Sequence, residues 1–541
     1  MITDEDLAED IMARYTSMKT HRQSFWDPAY RATAQLLFAR EPTILWGTGN
    51  KKWRPNNKMF DRTGAESLII AASGLSSQWI SPARPWMSLT VEDARLADKQ
   101  AVRVWCEQTS QDILSIFARS NVYAGMGRFV RDILWATPVC YVEADEDTVI
   151  RLFPEEIGSF VIGKDEKNRP NTVVREFAMS ARNIRNKFPT AILPSDVQQA
   201  LKGNNIDTEF AVIHYVGPNP EIEELAVDWR SKSFMSVYLV CDKIIEQGGY
   251  DLFPYLVGQW DPEGEDVYSV TPALNAYGDM RSLQMYAKGK MKAAEKSVDP
   301  VLGVPSSISD VRREPGAEVT TNGSERAYNL EDIRYDWQGI QLVTGELKDS
   351  VRRAFFVDIF QHFLNSTRRE QTAEEVRAKL DEQYAALAPV ISNMYENVAA
   401  HLIDLTFAQM VKRKMLRPAP PELAGIKLKV KYLSEFERAQ QSASLRQLQG
   451  FAADINQMLP LIQNPPEQID VDELIQKMAD HRQIPETIVR DDYSIAKIRE
   501  NKARVMREQM QQQNSLTQAQ SLQALGKARV APDTALGQLQ G

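Results

Sequence analysis

Histidines, cysteines, paired carboxylates and glycine-rich turns are the residue types in this chain that could do chemistry, and their spacing decides whether they do. Two histidines four residues apart can hold a metal on one helix face. His21, His214, His362, His401 and His481 are scattered, with no such pair. Cys106, Cys140 and Cys241 are odd in number, far apart and form no C-x-x-C motif. They imply neither a disulfide framework nor an oxidising compartment. The adjacent acids Glu155-Glu156 and Asp491-Asp492 lie in polar segments and read as solvated. Gly47-Thr-Gly-Asn-Lys51-Lys52 is the nearest approach to a phosphate-cradling loop, but it lacks the G-x-x-x-x-G-K-[ST] spacing. Gly125-Met-Gly127 lacks the third glycine of a dinucleotide turn, and neither G-x-S-x-G nor H-E-x-x-H occurs. The expectation is a protein that is not an enzyme, with no metal site and no cofactor.

Composition bounds the rest. The chain has 541 residues, 43% hydrophobic, 9% aromatic and 25% charged, an ordinary globular balance whose length suggests about three or four domains. Lys and Arg total 64 against 73 Asp and Glu, for a net charge of −9. Non-specific nucleic-acid affinity comes mainly from phosphate neutralisation, so DNA binding over the whole surface is excluded and any contact must come from local patches. The N-terminal MITDEDLAEDIM is acidic where a signal peptide is basic. The most apolar run, Leu68–Leu75, is too short to span a bilayer. A soluble protein without a membrane partner is expected.

The elements follow from pattern. Asp27-Pro28 reads as a helix N-cap with proline at the first helical position, and Ala65–Ile80 as an apolar helix closed by the Pro82 and Pro85 turns. Val139–Glu143, Val149–Phe153, Phe160–Ile162, Thr172–Phe177, Phe210–Val216 and Ser236–Cys241 are β-branched and aromatic runs that read as one antiparallel sheet region. Ser195 is expected to cap a short helix to Leu201. From Thr271-Pro272 the chain becomes helical up to Val298, and Leu342–Phe363 is a second helix, with Val351, Phe355, Ile359 and Phe363 on one face. Between them, residues 300–340 form an excursion of short strands.

Thr372-Ala-Glu-Glu375 is a capping box. It opens a helical series of Val376, Leu380, Tyr384, Leu387, Ile391, Met394, Val398, Leu402 and Leu405, kinked at Pro389. A second box, Ser434–Glu437, precedes a helix with Leu448, Phe451, Ile455 and Leu459. The tail from Ile495 is a basic helix that fades into Gln511–Gln513 and a mobile terminus. The fold class is α+β, mainly helical. Two long helices beside an insertion bury their faces most readily against copies of themselves, as in a ring.

A series of motifs then falls in one order. Phe60-Asp-Arg-Thr63, Leu68, Ala71-Ala-Ser-Gly-Leu75, Ser81-Pro82 and Pro85-Trp86 match the pattern F-D-x-T…L-A-x-G-L…P-x-x-P-W. Arg151-Leu-Phe and Ile162 to Asn171 match a strand pair, and His214-Tyr-Val-Gly-Pro218 matches H-x-V-x-P. Phe253-Pro254 to Trp260, then Tyr268 and Thr271-Pro272, match P…W…Y-G-x-S-P. Thr372 to Val376, with Arg377 and Glu382, match M-T-A-T-E-V…R…E, and Tyr432 to Gln440 match Y-x-S-P-L-A-R-A-Q. Over nearly its whole length the chain resembles the head-to-tail connector, or portal, family of short-tailed, T7-like bacteriophages. It departs at Ser269-Val270 where the family has a glycine after the tyrosine, at Gln371 in place of methionine, and at Glu435-Phe436 in place of Pro-Leu.

The resemblance implies a dodecameric ring at one capsid vertex, in the virion, assembled in the host cytoplasm. Its implied partners are further copies of the chain, double-stranded viral DNA in the channel, the terminase large subunit, tail adaptor and tail tube proteins, and capsid and scaffolding proteins. It also implies a wing over 1–270, a first stem helix over 271–299, a clip over 300–340 and a second stem helix over 341–361. A channel loop over 362–371, a long kinked helix over 372–417 and a crown with the Gln-rich tail over 418–541 complete the scheme.

On that scheme Lys288, Lys290, Lys292 and Lys296 of the first stem helix, Arg352 and Arg353 of the second, and His362, Arg368 and Arg369 of the loop are the candidates to face DNA phosphates. The competing reading gives the stem lysines to ion pairs within or between subunits, and the loop residues to ordinary surface polarity. A packaging ATPase is disfavoured by the missing P-loop. A tail or internal core protein is the remaining alternative.

Overall fold

In a computed structural model of the chain the described residues are 3–40, 55–97, 99–203, 205–220, 222–223, 226, 228–262, 264–298, 302–305, 328–329, 336–364, 390–423, 428–432 and 492–530. Helix α1 (Asp4–Phe25) opens on a capping box. The Asp6 amide donates to the Thr3 hydroxyl at 3.2 Å, the Thr3 amide donates to the Asp6 carboxylate at 3.3 Å, and Asp4, Glu5 and Asp6 fill the first turn. Helix α2 (Asp27–Leu37) follows at once. Asp27 is not its cap: the residue lies inside the first turn and gives its carboxylate to Arg22 instead. Then come α3 (Thr63–Trp79), β1 (Met87–Val91), α4 (Ala94–Ala97), α5 (Gln100–Arg119) and α6 (Val122–Ile133).

The strand region forms two antiparallel sheets rather than one. Strands β2 (Val139–Asp145), β3 (Val149–Pro154), β4 (Phe160–Lys164) and β5 (Pro170–Ser180) precede the short helices α7 (Ala181–Lys187) and α8 (Ser195–Lys202). Strands β6 (Glu209–Pro218), β7 (Phe234–Val240), β8 (Lys243–Tyr250) and β9 (Tyr255–Val257) follow them. One sheet has the order β4-β5-β6-β7-β8 and the other β3-β2-β9. Ser195 is the first residue of α8 and makes no cap; Pro194 holds that position.

Alternate residues of the five-stranded sheet face opposite ways, and each face has its own cover. Ala8, Ile11 and Tyr15 of α1 pack on Val161, Val174, Tyr215, Met235, Val237 and Leu239. On the other face Ile184, Phe188, Leu193 and Val197, from α7, α8 and the loop between them, pack on Val212, Val240 and Ile245.

Two buried polar groups tie these layers together. Arg22 is fully buried; its Nε donates to Asp27 Oδ1 at 2.9 Å, it donates to the Phe160 carbonyl of β4, and its guanidinium lies 4.7 Å from the Phe160 ring centroid. His214 of β6 bonds the Ser236 hydroxyl at 2.9 Å and the Tyr255 hydroxyl of the second sheet at 3.1 Å. It also stacks on Tyr238, with centroids 4.0 Å apart and planes 2° apart.

After β10 (Asp261–Pro262) and β11 (Ser269–Val270), α9 (Pro272–Asn275) and α10 (Tyr277–Val298) replace the single helix expected from Thr271, with a break at Ala276. Of residues 300–340 the described part includes one antiparallel pair, β12 (Leu302–Gly303) with β13 (Tyr328–Asn329). The helix expected over 342–363 is also two, α11 (Trp337–Ala354) and α12 (Val357–Leu364), because Phe356 adopts φ 57°. The Thr372 and Ser434 capping boxes, Pro389 and the Leu448–Leu459 helix lie outside the described residues. A π-helical turn at Tyr395–Ala399 leads into α13 (Ala400–Lys412). Beyond β14 (Leu428–Tyr432), α14 (Asp492–Val530) does not fade at the glutamines but runs on for 39 residues.

The chain divides into two compact units. One comprises Met1–Ser88, Thr109–Arg417 and Val430–Phe436; the other comprises Leu89–Gln108, Pro418–Lys429 and Glu437–Gly541.

Replacing Arg22 by Met leaves Asp27 as a buried charge without its partner. The expected cost is about 3–5 kcal/mol, read as a lower denaturant midpoint. Burial, reinforced by the cations of Arg175 and Lys187, holds His214 well below its usual range, and burial likewise lowers His401. The unfolded chain therefore takes up more protons below about pH 6.5, and stability falls as the pH falls, for His214 by up to about 1.4 kcal/mol per unit. Between pH 6.5 and 5, His214→Asn should flatten the stability profile by one histidine's share; an unchanged slope would refute this origin.

Candidate functional site

The basic candidates sit on a helix pair whose geometry is set locally at both ends. The Thr271 hydroxyl accepts from the Leu274 amide at 3.3 Å and, with Pro272 as a first residue that needs no donor, caps α9, the short helix that leads into α10. The Asp336 carboxylate caps α11 by accepting from the Gly339 amide at 2.9 Å. The two helices run antiparallel. Ser350 donates to Asp279 at 2.6 Å near one end, and the Lys290 ammonium donates to the Thr344 hydroxyl at 3.0 Å farther along.

A three-helix junction fixes this pair to the body. Asp61 Oδ1 accepts from the Thr63 amide at 2.8 Å and so starts α3. The Gln284 carboxamide of α10 accepts from the Phe60 and Asp61 amides at 2.6 and 2.8 Å and donates to the Asp61 carbonyl at 2.8 Å. Lys348 of α11 lies 3.5 Å from the other Asp61 oxygen. The Phe60-Asp-Arg-Thr63 motif thus has a physical role: its backbone and its carboxylate are the point where α3, α10 and α11 meet.

Against this frame the candidate residues separate. Lys288, Lys292 and Lys296 are exposed along α10, Lys288 with its ammonium 5.8 Å from the Phe60 ring centroid. Lys290 is half-buried and engaged with Thr344, so here it ties the helices together. Arg352 and Arg353 are exposed on α11; Arg352 lies 3.6 Å from Asp349, and Arg353 donates to the Asp349 carbonyl at 3.4 Å. An exposed pair of this kind is worth at most about 1 kcal/mol and leaves both guanidiniums accessible. His362 is placed on α12 by its backbone, its side chain lying outside the described atoms, and Arg368 and Arg369 lie outside the described residues.

Sequence reading passed over Arg281, exposed on α10. The signal was present, since Arg281, Lys288 and Lys292 are spaced by seven and four residues, two helical turns and one. It also passed over Gln284 and Lys348, because a glutamine and a lysine on polar helices carry no signature of the backbone they will hold. Among the described residues no three His, Cys, Asp or Glu side chains are placed to hold a metal ion, and no helix is long and apolar enough to cross a membrane. The surface offers exposed cations spaced along a helix pair that is held by hydrogen bonds.

Comparison with known proteins bears on the whole chain. The profile of the family described as bacteriophage head to tail connecting protein matches residues 8–489. A portal protein of Salmonella phage epsilon15 is 27% identical over 542 residues, covering 97% of this chain and 94% of that protein. A probable portal protein of Bordetella phage BPP-1 is 26% identical over 506 residues, covering 91% and 90%. Among solved structures, a chain of the virion of a native gene transfer agent particle aligns over 80% of this chain and 96% of its own, at 10% identity and a TM-score of 0.36.

Gln284→Ala removes the acceptor for two backbone amides at the junction. The expected cost is about 1–2 kcal/mol, measured as a lower calorimetric midpoint. Gln284→Glu, which keeps the acceptor, should recover part of it, and equal losses in the two variants would show that the acceptor is not what matters.

Proposed function

The chain belongs to the bacteriophage head to tail connecting protein family, and on that premise we propose that it is a portal subunit, a structural part of the virion through which viral DNA enters the head and later leaves it. The match to that family over residues 8–489 carries the reading. In this proposal copies of the chain close into a dodecameric ring at one capsid vertex. Residues 1–270 are the wing, 271–299 and 341–361 the stem, 300–340 the clip, 362–371 the channel loop, 372–417 the long kinked helix, and 418–541 the crown. Terminase docks during packaging, tail proteins during completion, and capsid and scaffolding proteins surround the ring during assembly in the host cytoplasm.

Charge fits the role. A conduit must not grip its cargo, because every phosphate neutralised releases counterions and adds affinity. A chain of net charge −9 that exposes Lys288, Lys292 and Lys296 on one helix offers only a sparse basic belt, repeated once per subunit in a ring.

Electron microscopy of the purified chain should show rings with a central hole; a monodisperse monomer under all conditions would sink the proposal. Binding to double-stranded DNA should be weak and salt-sensitive. Changing Lys288, Lys292 and Lys296 together to Gln should reduce the slope of log affinity against log salt by about 0.9 for each phosphate that is no longer neutralised. Tight binding that survives high salt would contradict the conduit reading.

A further inference from the structure

Nothing in the sequence from Glu346 to Leu364 requires a helix to stop. The segment holds no glycine or proline, and Val351, Phe355 and Ile359 continue one apolar stripe at a spacing of four. The structure stops it nonetheless. Helix α11 ends at Ala354, Phe356 takes the left-handed conformation at φ 57°, and α12 begins at Val357. Helix ends of this kind ordinarily place glycine at the left-handed residue. A bulky aromatic side chain there is a genuine outlier, because its Cβ crowds the backbone.

Tertiary contacts hold the bend against that strain. Phe355 is fully buried. Phe356 lies against Trp260 with ring centroids 6.0 Å apart. Phe360 fills the notch over Gly74 of α3, where a Cβ would overlap its ring. Local sequence favours one backbone for these residues and packing favours another. That opposition is the condition for an element with two arrangements, and backbone strain concentrates at such elements.

We propose that Phe356 is a hinge, about which α12 moves between the bent arrangement and one in which α11 and α12 run as a single helix from Trp337 to Leu364. The bent form is held by the Gly74 notch and the Trp260 contact. The straight form relieves Phe356 and restores the helical hydrogen bonds that the bend interrupts. The backbone of His362, carried on α12, moves with it. This hinge is a property of one chain and does not rest on ring formation or on DNA.

The test is a distance measurement between spin labels at Glu346→Cys on α11 and Asp358→Cys on α12, both exposed positions. Cys241→Ser removes the exposed native thiol, Cys106 and Cys140 being buried, and labelled full-length chain is diluted into unlabelled chain. In a continuous helix the two Cα atoms are about 18 Å apart along the axis, and a bend brings them closer. Trp260→Ala, which removes the ring contact that holds the bent form and leaves the left-handed backbone of Phe356 in place, should shift the population about tenfold toward the long distance, equivalent to about 1.4 kcal/mol. Gly74→Ala, which fills the notch, should shift it toward the long one. Phe360→Ala empties the notch and should act in the same direction, so it serves if Gly74→Ala does not fold. A single short distance in the background chain that persists in the notch variants overturns the hinge and makes Phe356 a fixed corner.

Discussion

A Cβ at Gly64 would overlap the Met280 sulfur and one at Gly74 would overlap the Phe360 ring, so two helices distant in sequence reach α3 only because those positions carry hydrogen. The close approach of α3 to its neighbours is the constraint on which the helical side of the chain depends. Helices α2, α6, α11 and α12 all pack against it, and Asp61 at its start receives Gln284 from α10 and Lys348 from α11. The Leu68, Ala71, Ala72 and Leu75 face supplies the apolar contact, while the two glycines set the distance. At its far end Trp79 meets Tyr395 of the π-helical turn edge to face, with centroids 6.4 Å apart. A single helix therefore aligns the elements on both sides of residues 365–389.

The strand region solves a different problem. Its two sheets share no backbone ladder, so side chains must join them, and the joints are polar and buried. Tyr255 of the three-stranded sheet bonds His214 of the five-stranded one. Thr137, just before β2, bonds both Tyr30 of α2 at 3.0 Å and Ser269 of β11 at 3.3 Å. A buried polar group is tolerated only with its partners in place, so each joint fixes one relative placement of the layers. An apolar contact would permit several. A body locked in this way makes a firm mount for the exposed α10–α11 pair.

The contrast between the two regions fits the role proposed for the chain. Polar joints specify a rigid body, whereas the helix pair and α12 rest on packing that one added methyl group would disturb. The basic residues lie on the helix pair, and nothing about them requires chemistry. Lys288 and Lys292 are exposed on a frame stiffened by hydrogen bonds that other residues make.

Residue types and spacing alone determined that this chain lacks the motifs of an enzyme, that strands give way to long helices near Thr271, and that its motifs run in the order of one phage family. Those features are legible because periodicity, turn residues and motif order are local. Sequence also located the runs that became β2 to β7, but not their division into two sheets, since pairing is decided by partners far along the chain. Asp27 shows the limit most clearly. Beside Pro28 it has every local mark of a cap, yet a buried Arg22 competes for the same carboxylate and wins, because an unpaired buried charge costs more than an uncapped helix end. Phe356 is the same lesson in the backbone: local pattern continues the helix, and only the Gly74 notch and Trp260 bend it. Tertiary structure decided these points because long-range packing energies exceed the local preferences that sequence patterns record.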